Sequence, residues 1–174
     1  LMADPGVQFI FLRASRDLLA MAQQLGMDMA VDEIRGWVDR VEAGSDFLWN
    51  EEVGGYCARD LRTGQFSDAI TNASTLSFFA DVGSPEQRAS MAAHCRRILD
   101  ASSFGMPSWD PDHPAFESQR YWRGPVWAIM NHMVISGLED AGLADLAARV
   151  RRDTITLIDE RGMAEYFDPR DGDG

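Results

Sequence analysis

The chain has no lysine: all 16 of its basic residues are arginine. A Schiff base or an amine nucleophile on this stretch is therefore excluded, since the guanidinium stays protonated and cannot attack. Positive charge is scarce altogether. With 28 acidic residues the net charge is −12, which argues against nucleic acid or an anionic membrane as a partner. Cysteine is nearly absent too. Cys57 and Cys95 stand far apart without CxxC or Cys/His spacing, and read as free thiols of a reducing compartment, the cytoplasm, rather than as a disulfide. The longest apolar runs are far too short to span a bilayer. His94, His113 and His132 show no paired metal-ligand spacing, and His132 reads as a packed core residue. No glycine-rich phosphate loop or Ser/His/Asp arrangement is apparent, so neither metal nor cofactor is expected.

What remains is a globular composition, 45% hydrophobic and 25% charged. Apolar residues Val7, Ile10, Phe11, Ala14, Leu18, Met21 and Leu25 recur at three- and four-residue spacing and predict a helix over residues 5–25, stopped by Gly26. Val31, Ile34, Val38, Val41 and Phe47 predict a second over residues 30–48, closing a helical hairpin. The periodicity then breaks. Gly54-Gly55 and Thr63-Gly64 bracket a short β-hairpin or ordered loop. Ser84-Pro85-Glu86-Gln87 predicts a capped helix start, and that helix runs to about residue 99. A loop rich in Pro, Asp and Ser, residues 105–119, leads to two last helices over residues 125–141 and 143–160.

The densest cluster of unusual residues lies at Tyr121-Trp122-Arg123-Gly124-Pro125-Val126-Trp127. Aromatic rings can stack on the apolar faces of sugars while a guanidinium and a phenol meet their hydroxyls. Beyond the two last helices come Glu165-Tyr166-Phe167 and Asp168-Pro169. Residues flanking both ends of a helix pair can lie on one rim, so the spacing permits Trp122 and Glu165 to share a pocket. Hydrolysis of a glycosidic bond needs one carboxylic acid to protonate the leaving oxygen and one carboxylate to activate water or attack carbon. Asp110 and Asp112, beside Pro111 and Pro114, read as turn-forming residues rather than as the second carboxyl group. Glu51 and Glu52 are adjacent, so on a strand they point to opposite faces and at most one faces a site. Asp168, Asp171 and Asp173 lack the order of a calcium loop, since Arg170 interrupts them.

With these motifs the chain resembles the C-terminal part of the catalytic domain of glycoside hydrolase family 63 and its bacterial relatives, the mannosylglycerate and glucosylglycerate hydrolases. The likeness extends to Leu1-Met2-Ala3-Asp4-Pro5, Leu12-Arg13-Ala14-Ser15-Arg16-Asp17-Leu18, Phe47-Leu48-Trp49-Asn50-Glu51-Glu52-Val53-Gly54-Gly55-Tyr56, Arg59-Asp60-Leu61-Arg62-Thr63-Gly64 and Asp112-His113-Pro114-Ala115-Phe116. It implies an all-α fold, an (α/α)6 barrel of which residues 1–174 supply about the second half, with a short β-hairpin insertion. Twelve helices with their connections take on the order of 300 residues, so the expectation is a domain truncated at both ends. The isolated piece is then expected to be inactive and to expose apolar helix faces.

The resemblance further implies inverting hydrolysis of α-glycosides, with small glucosyl or mannosyl conjugates such as glucosylglycerate or mannosylglycerate as substrates. Glu165 maps onto the general base, and the general acid is an Asp upstream of this chain. Tyr121, Trp122, Trp127 and Arg123 are the expected substrate contacts, although Trp127 also fits a core position and Arg123 a structural one. Two alternatives stay open: a trehalase-like or debranching-type (α/α)6 enzyme, and a non-catalytic carbohydrate-binding helical protein.

Overall fold

The computed structural model describes residues 1–174. After a short strand β1 (Met2–Ala3), helix α1 (Pro5–Gln24) starts where Asp4 accepts the Val7 amide at 3.0 Å, with Pro5 in the first turn, where no amide donor is needed. Helix α2 (Asp28–Ala43) folds back on α1. It ends earlier than its periodicity suggested: Gly44 closes it and residues Ser45–Leu48 tighten into a 3-10 turn. Phe47 therefore leaves the expected apolar face and lies under the Arg59 guanidinium instead, 4.3 Å from its ring centre.

The expected hairpin is present. Strands β2 (Trp49–Asn50) and β3 (Gly55–Tyr56) pair antiparallel, Trp49 opposite Tyr56, and Glu51 and Glu52 stand exposed in the turn between them. Strand β4 (Arg59–Asp60) pairs with β1, a contact between distant segments with no local sequence signal. A one-turn helix α3 (Asn72–Thr75), capped reciprocally by Thr71 and Ser74, was also not anticipated. Helix α4 (Pro85–Asp100) begins as expected, with Ser84 accepting the Gln87 amide at 3.2 Å and Gln87 accepting the Ser84 amide at 2.8 Å.

Helices α5 (Ala128–Asp140) and α6 (Ala144–Arg161) form the second hairpin, joined through Gly142 at φ 73°. The start of α5 lies beyond Pro125 because the intervening backbone is extended. Val126 forms bridges with Pro107 and with Phe167, which takes it out of helical geometry until Trp127 caps the helix. His132 is exposed on α5 rather than packed in the core, since the helix turns Asn131 and Val134 inward.

The main core gathers Phe9 and Leu12 of α1, Tyr56, Leu76, Met91, Ile98 and Leu99, and Leu138. Tyr56 meets the Phe9 ring edge-on at 5.1 Å. On α1 the periodic stripe read from the sequence is not the buried one. Phe9, Leu12, Ser15 and Ala22 face inward, whereas Val7, Phe11, Leu18 and Met21 are exposed, Val7 to 71%. The helix is apolar on two sides, and its periodicity alone did not say which side the rest of the chain covers. No helix is long and apolar enough to cross a membrane.

Candidate functional site

The site is assembled where residues 105–127 meet residues 164–170. The incoming loop is pinned at both ends. Thr71 bridges Trp109, and Pro107 bridges Val126. Arg97 of α4 donates to Asp110 at 2.9 Å and to Asp112 at 2.7 Å. Burial alone would raise the Asp110 carboxyl, but the Arg97 hydrogen bonds, the Asp112 amide and the Arg97 charge outweigh it and hold it below the usual carboxylate range. Both aspartates are thereby paired with Arg97 of α4, in keeping with the turn-forming role their proline neighbours predict.

Residues 117–123 close a tight loop on which the Glu117 amide donates to the Arg123 carbonyl at 3.0 Å. The Arg123 guanidinium donates to the Glu117 carboxylate within its own loop, an arrangement that fits the structural role the sequence left open for it beside substrate contact. Gly124 is required at the neck: a Cβ there would stand 1.9 Å from the Glu117 carbonyl oxygen. Tyr121 takes a left-handed backbone, φ 41°, unusual for an aromatic residue. Its conformation is held at two ends. The Trp127 indole N–H donates to the Tyr121 carbonyl at 3.0 Å, and the Tyr121 phenol donates to Glu165 Oε1 at 3.2 Å. The carboxylate charge, and its hydrogen bond with the phenol, raise the Tyr121 pKa.

Trp122 lies parallel to Trp127 at 4.0 Å between ring centres, with 3° between planes. The pair divides the work of the two indoles. Trp127 is only 5% exposed and Trp122 46%, so the surface offered to solvent is the outer indole and the half-exposed Tyr121. Trp127 is thus mainly a core residue, the alternative its place ahead of α5 had left open. Tyr166, not singled out beforehand, packs on Trp127 at 5.3 Å and meets Tyr121 edge-on at 5.9 Å. Its signal was only its place beside Glu165.

Glu165 is brought to the aromatic loop by a backbone bridge. Val126 and Phe167 exchange hydrogen bonds of 2.8 and 2.9 Å, and Asp168 is held by Ser118 and Arg170. Glu165 itself is exposed and receives the Tyr121 phenol, leaving lone pairs free for a water or a hydroxyl. Beside Trp122 opens a pocket of about 440 Å³ lined also by Asp4, Val7, Asn72, Ser108 and Trp109. The side-chain nitrogens of Asn72 and Trp109 have no hydrogen-bond partner. Tyr121 links the two features, its phenol on the accessible Glu165 carboxylate and its ring 6.0 Å from that of Trp122, which lines the apolar pocket. Such a surface suits a ligand with both hydroxyls and apolar ring faces.

The model of the mannosylglycerate hydrolase MGH1-like glycoside hydrolase domain matches residues 1–174. The chain belongs to this family. It is 44% identical over 165 residues to mannosylglycerate hydrolase MGH1 of Selaginella moellendorffii, covering 95% of this chain and 34% of that protein. Among solved structures, the GH63 mannosylglycerate hydrolase from Thermus thermophilus in complex with glucose superposes with a TM-score of 0.94 at 39% identity, over 99% of this chain and 41% of that one. The same enzyme in complex with Tris and D-glycerate gives the same values. The expected family and its (α/α)6 fold class are thus shown, with small β-hairpins among the helices. The chain spans about a third to two fifths of the length of these relatives.

Proposed function

We propose that this domain forms the general-base side of an inverting α-glycosidase acting on small glycosyl conjugates of glycerate, mannosylglycerate or glucosylglycerate. The observation that carries the reading is the Tyr121 to Glu165 hydrogen bond at the edge of an aromatic cluster. Glu165 removes a proton from a water as that water attacks the anomeric carbon from the face opposite the leaving group. An Asp supplied from outside residues 1–174 protonates the departing glycosidic oxygen. The products are the sugar of inverted configuration and free glycerate. Inverting sites keep their two carboxyl groups roughly 6.5–9.5 Å apart so that the water fits between them.

Trp122 supplies the platform for the sugar ring and Tyr121 orients the base. Trp127 supports Trp122 from below and fixes Tyr121 through its carbonyl, while Arg123 stabilises the loop rather than meeting substrate. Glucose, Tris and D-glycerate bound to the Thermus relative support a small saccharide and glycerate as ligands. Residues 1–174 are, in this reading, one part of the (α/α)6 barrel. The uncovered residues Phe11, Leu18 and Met21 are where further helices of that barrel pack. Two buried free thiols fit a reducing compartment, the cytoplasm.

The test is NMR of mannosylglycerate, glucosylglycerate and short α-glucosides incubated with the complete gene product and with its Glu165→Gln variant, following the anomer first released. Release of β-sugar by the wild type alone supports the reading. Cleavage by the variant at the wild-type rate removes Glu165 from the mechanism. Cleavage of α-glucosides with the glycerate conjugates untouched moves the substrate to the trehalase or debranching class.

A further inference from the structure

The segment that carries Glu165 is fastened to the aromatic motif by the backbone bridge between Val126 and Phe167 and by the packing of Tyr166 on Trp127 and Tyr121. A further tie is a side-chain clamp. Asp168, 2% exposed, accepts the Ser118 hydroxyl at 2.5 Å on one oxygen and the Arg170 amide at 2.9 Å on the other. The Arg170 guanidinium reaches both carboxylate oxygens, at 3.3 and 3.2 Å, and also the Ser118 hydroxyl. Ser118 stands at the neck of the closed loop 117–123 whose tip is Tyr121 and Trp122. On its other side the clamp segment is anchored as well: the Ser103 and Phe104 amides both donate to the Pro169 carbonyl.

The backbone bridge and the Tyr166 packing on Trp127 act at the Val126–Trp127 end of the motif, not at the neck of loop 117–123. The attachment of Ser118 to Asp168 ties that neck to the same segment and so constrains where Glu165 stands relative to Tyr121. We infer that Asp168 is a positioning residue for the reaction: through Ser118 it locks the aromatic loop to the base-bearing segment and so holds the Tyr121 phenol on Glu165. The inference rests on the reading of Glu165 as general base. Asp168 itself is buried with its oxygens already occupied, and it has no place at the substrate. Its effect must therefore travel through the Tyr121 contact.

The experiment is a steady-state series on the complete gene product: Asp168→Asn, Ser118→Ala, Ser118→Thr and Glu165→Gln, each alone, and the first two also combined with Tyr121→Phe. If the clamp acts by orientation, Asp168→Asn and Ser118→Ala lower kcat on the order of tenfold to 100-fold with KM kept within about twofold. Adding either to Tyr121→Phe costs no more than about twofold further, because the contact it served is already gone. Ser118→Thr, which keeps the hydroxyl, restores kcat. Full kcat in Ser118→Ala and Asp168→Asn overturns the inference, as does a loss that multiplies undiminished in the Tyr121→Phe background. Should Asp168→Asn fail to fold, the Ser118 pair decides alone, since Arg170 still neutralises Asp168 in it. Glu165→Gln separates the two layers: its inactivity beside a fully active Ser118→Ala leaves the base assignment standing and removes the clamp, whereas its full activity overturns both.

Discussion

Trp122 lies flat on Trp127, ring centres 4.0 Å apart, and only the outer of the two indoles reaches solvent. Neighbouring tryptophans in one motif thus carry different burdens. Trp122→Ala removes an exposed platform and is expected to leave the midpoint of urea unfolding nearly unchanged while raising KM for the glycoside. Trp127→Ala empties a buried site and frees the Tyr121 carbonyl, with an expected loss of about 3–5 kcal/mol of stability. Urea titrations of both variants, read beside their KM values, check the division. Equal destabilisation by the two substitutions would mean that the stack is a single structural unit.

The two thiols offer a different check. Cys57 and Cys95 are fully buried, and burial is the main cause that pushes each pKa up to about 12. At about pH 8 a thiol with an ordinary pKa is partly ionised and reacts with iodoacetamide. Neither cysteine of the folded protein is expected to be alkylated on the timescale of minutes, and both are expected to be alkylated in guanidinium chloride. Mass spectrometry counts the adducts, and labelling of either residue under native conditions would contradict the packing around it.

Much of the frame was legible in the sequence because it rests on local rules. Ser84 and Gln87 cap α4 by a contact three residues long, and Gly142 and Gly162 mark helix ends by their own backbone. The site was legible only as a list of residue types. Pro125 looked like the first residue of a helix, and what delays α5 is the pairing of Val126 with Phe167, a contact made across both intervening helices. The same bridge brings Glu165 to Tyr121. Neither the left-handed turn at Tyr121 nor the capture of Arg123 by Glu117 has a local signature, because both depend on how the loop closes on itself.

Acid stability follows from the same buried carboxylate that clamps the site. Burial by itself would raise the Asp168 carboxyl, but the hydrogen bonds from Arg170 and Ser118 and the Arg170 charge outweigh it, so its folded pKa lies below the usual value. In that window the unfolded chain binds more protons than the folded one. The contribution of Asp168 is therefore complete above the unfolded carboxylate pKa of about 3.9 and is lost as the pH falls through the lower folded value. Asp110 adds to the effect with the same sign. Asp168→Asn is expected to be less stable at neutral pH yet to lose less stability between about pH 4 and pH 2, which urea unfolding across a pH series measures. A wild type and variant with parallel pH profiles would contradict the coupling.

Gly137 gives the sharpest test of the packing that supports the second helix pair. In the interior of a helix, replacing glycine by alanine ordinarily stabilises by about 1 kcal/mol, because alanine has less freedom to lose on folding. Gly137 lies within α5 with an ordinary helical backbone, so propensity alone favours the substitution. Its surroundings forbid it. A Cβ at this position would stand 2.3 Å from the Phe79 amide nitrogen and 2.7 Å from the Phe79 Cα, both backbone atoms that cannot swing aside as a side chain would. Either α5 or the segment after α3 must then move, and such overpacking costs about 1–3 kcal/mol or more, which exceeds the gain from propensity. Gly137→Ala is expected to lower the thermal midpoint, whereas Gly36→Ala on α2, where the nearest atom is the flexible end of Arg40 at 3.5 Å, is expected to raise it. A stabilising Gly137→Ala would show that α5 and the Phe78–Phe79 backbone are not held in the close contact described.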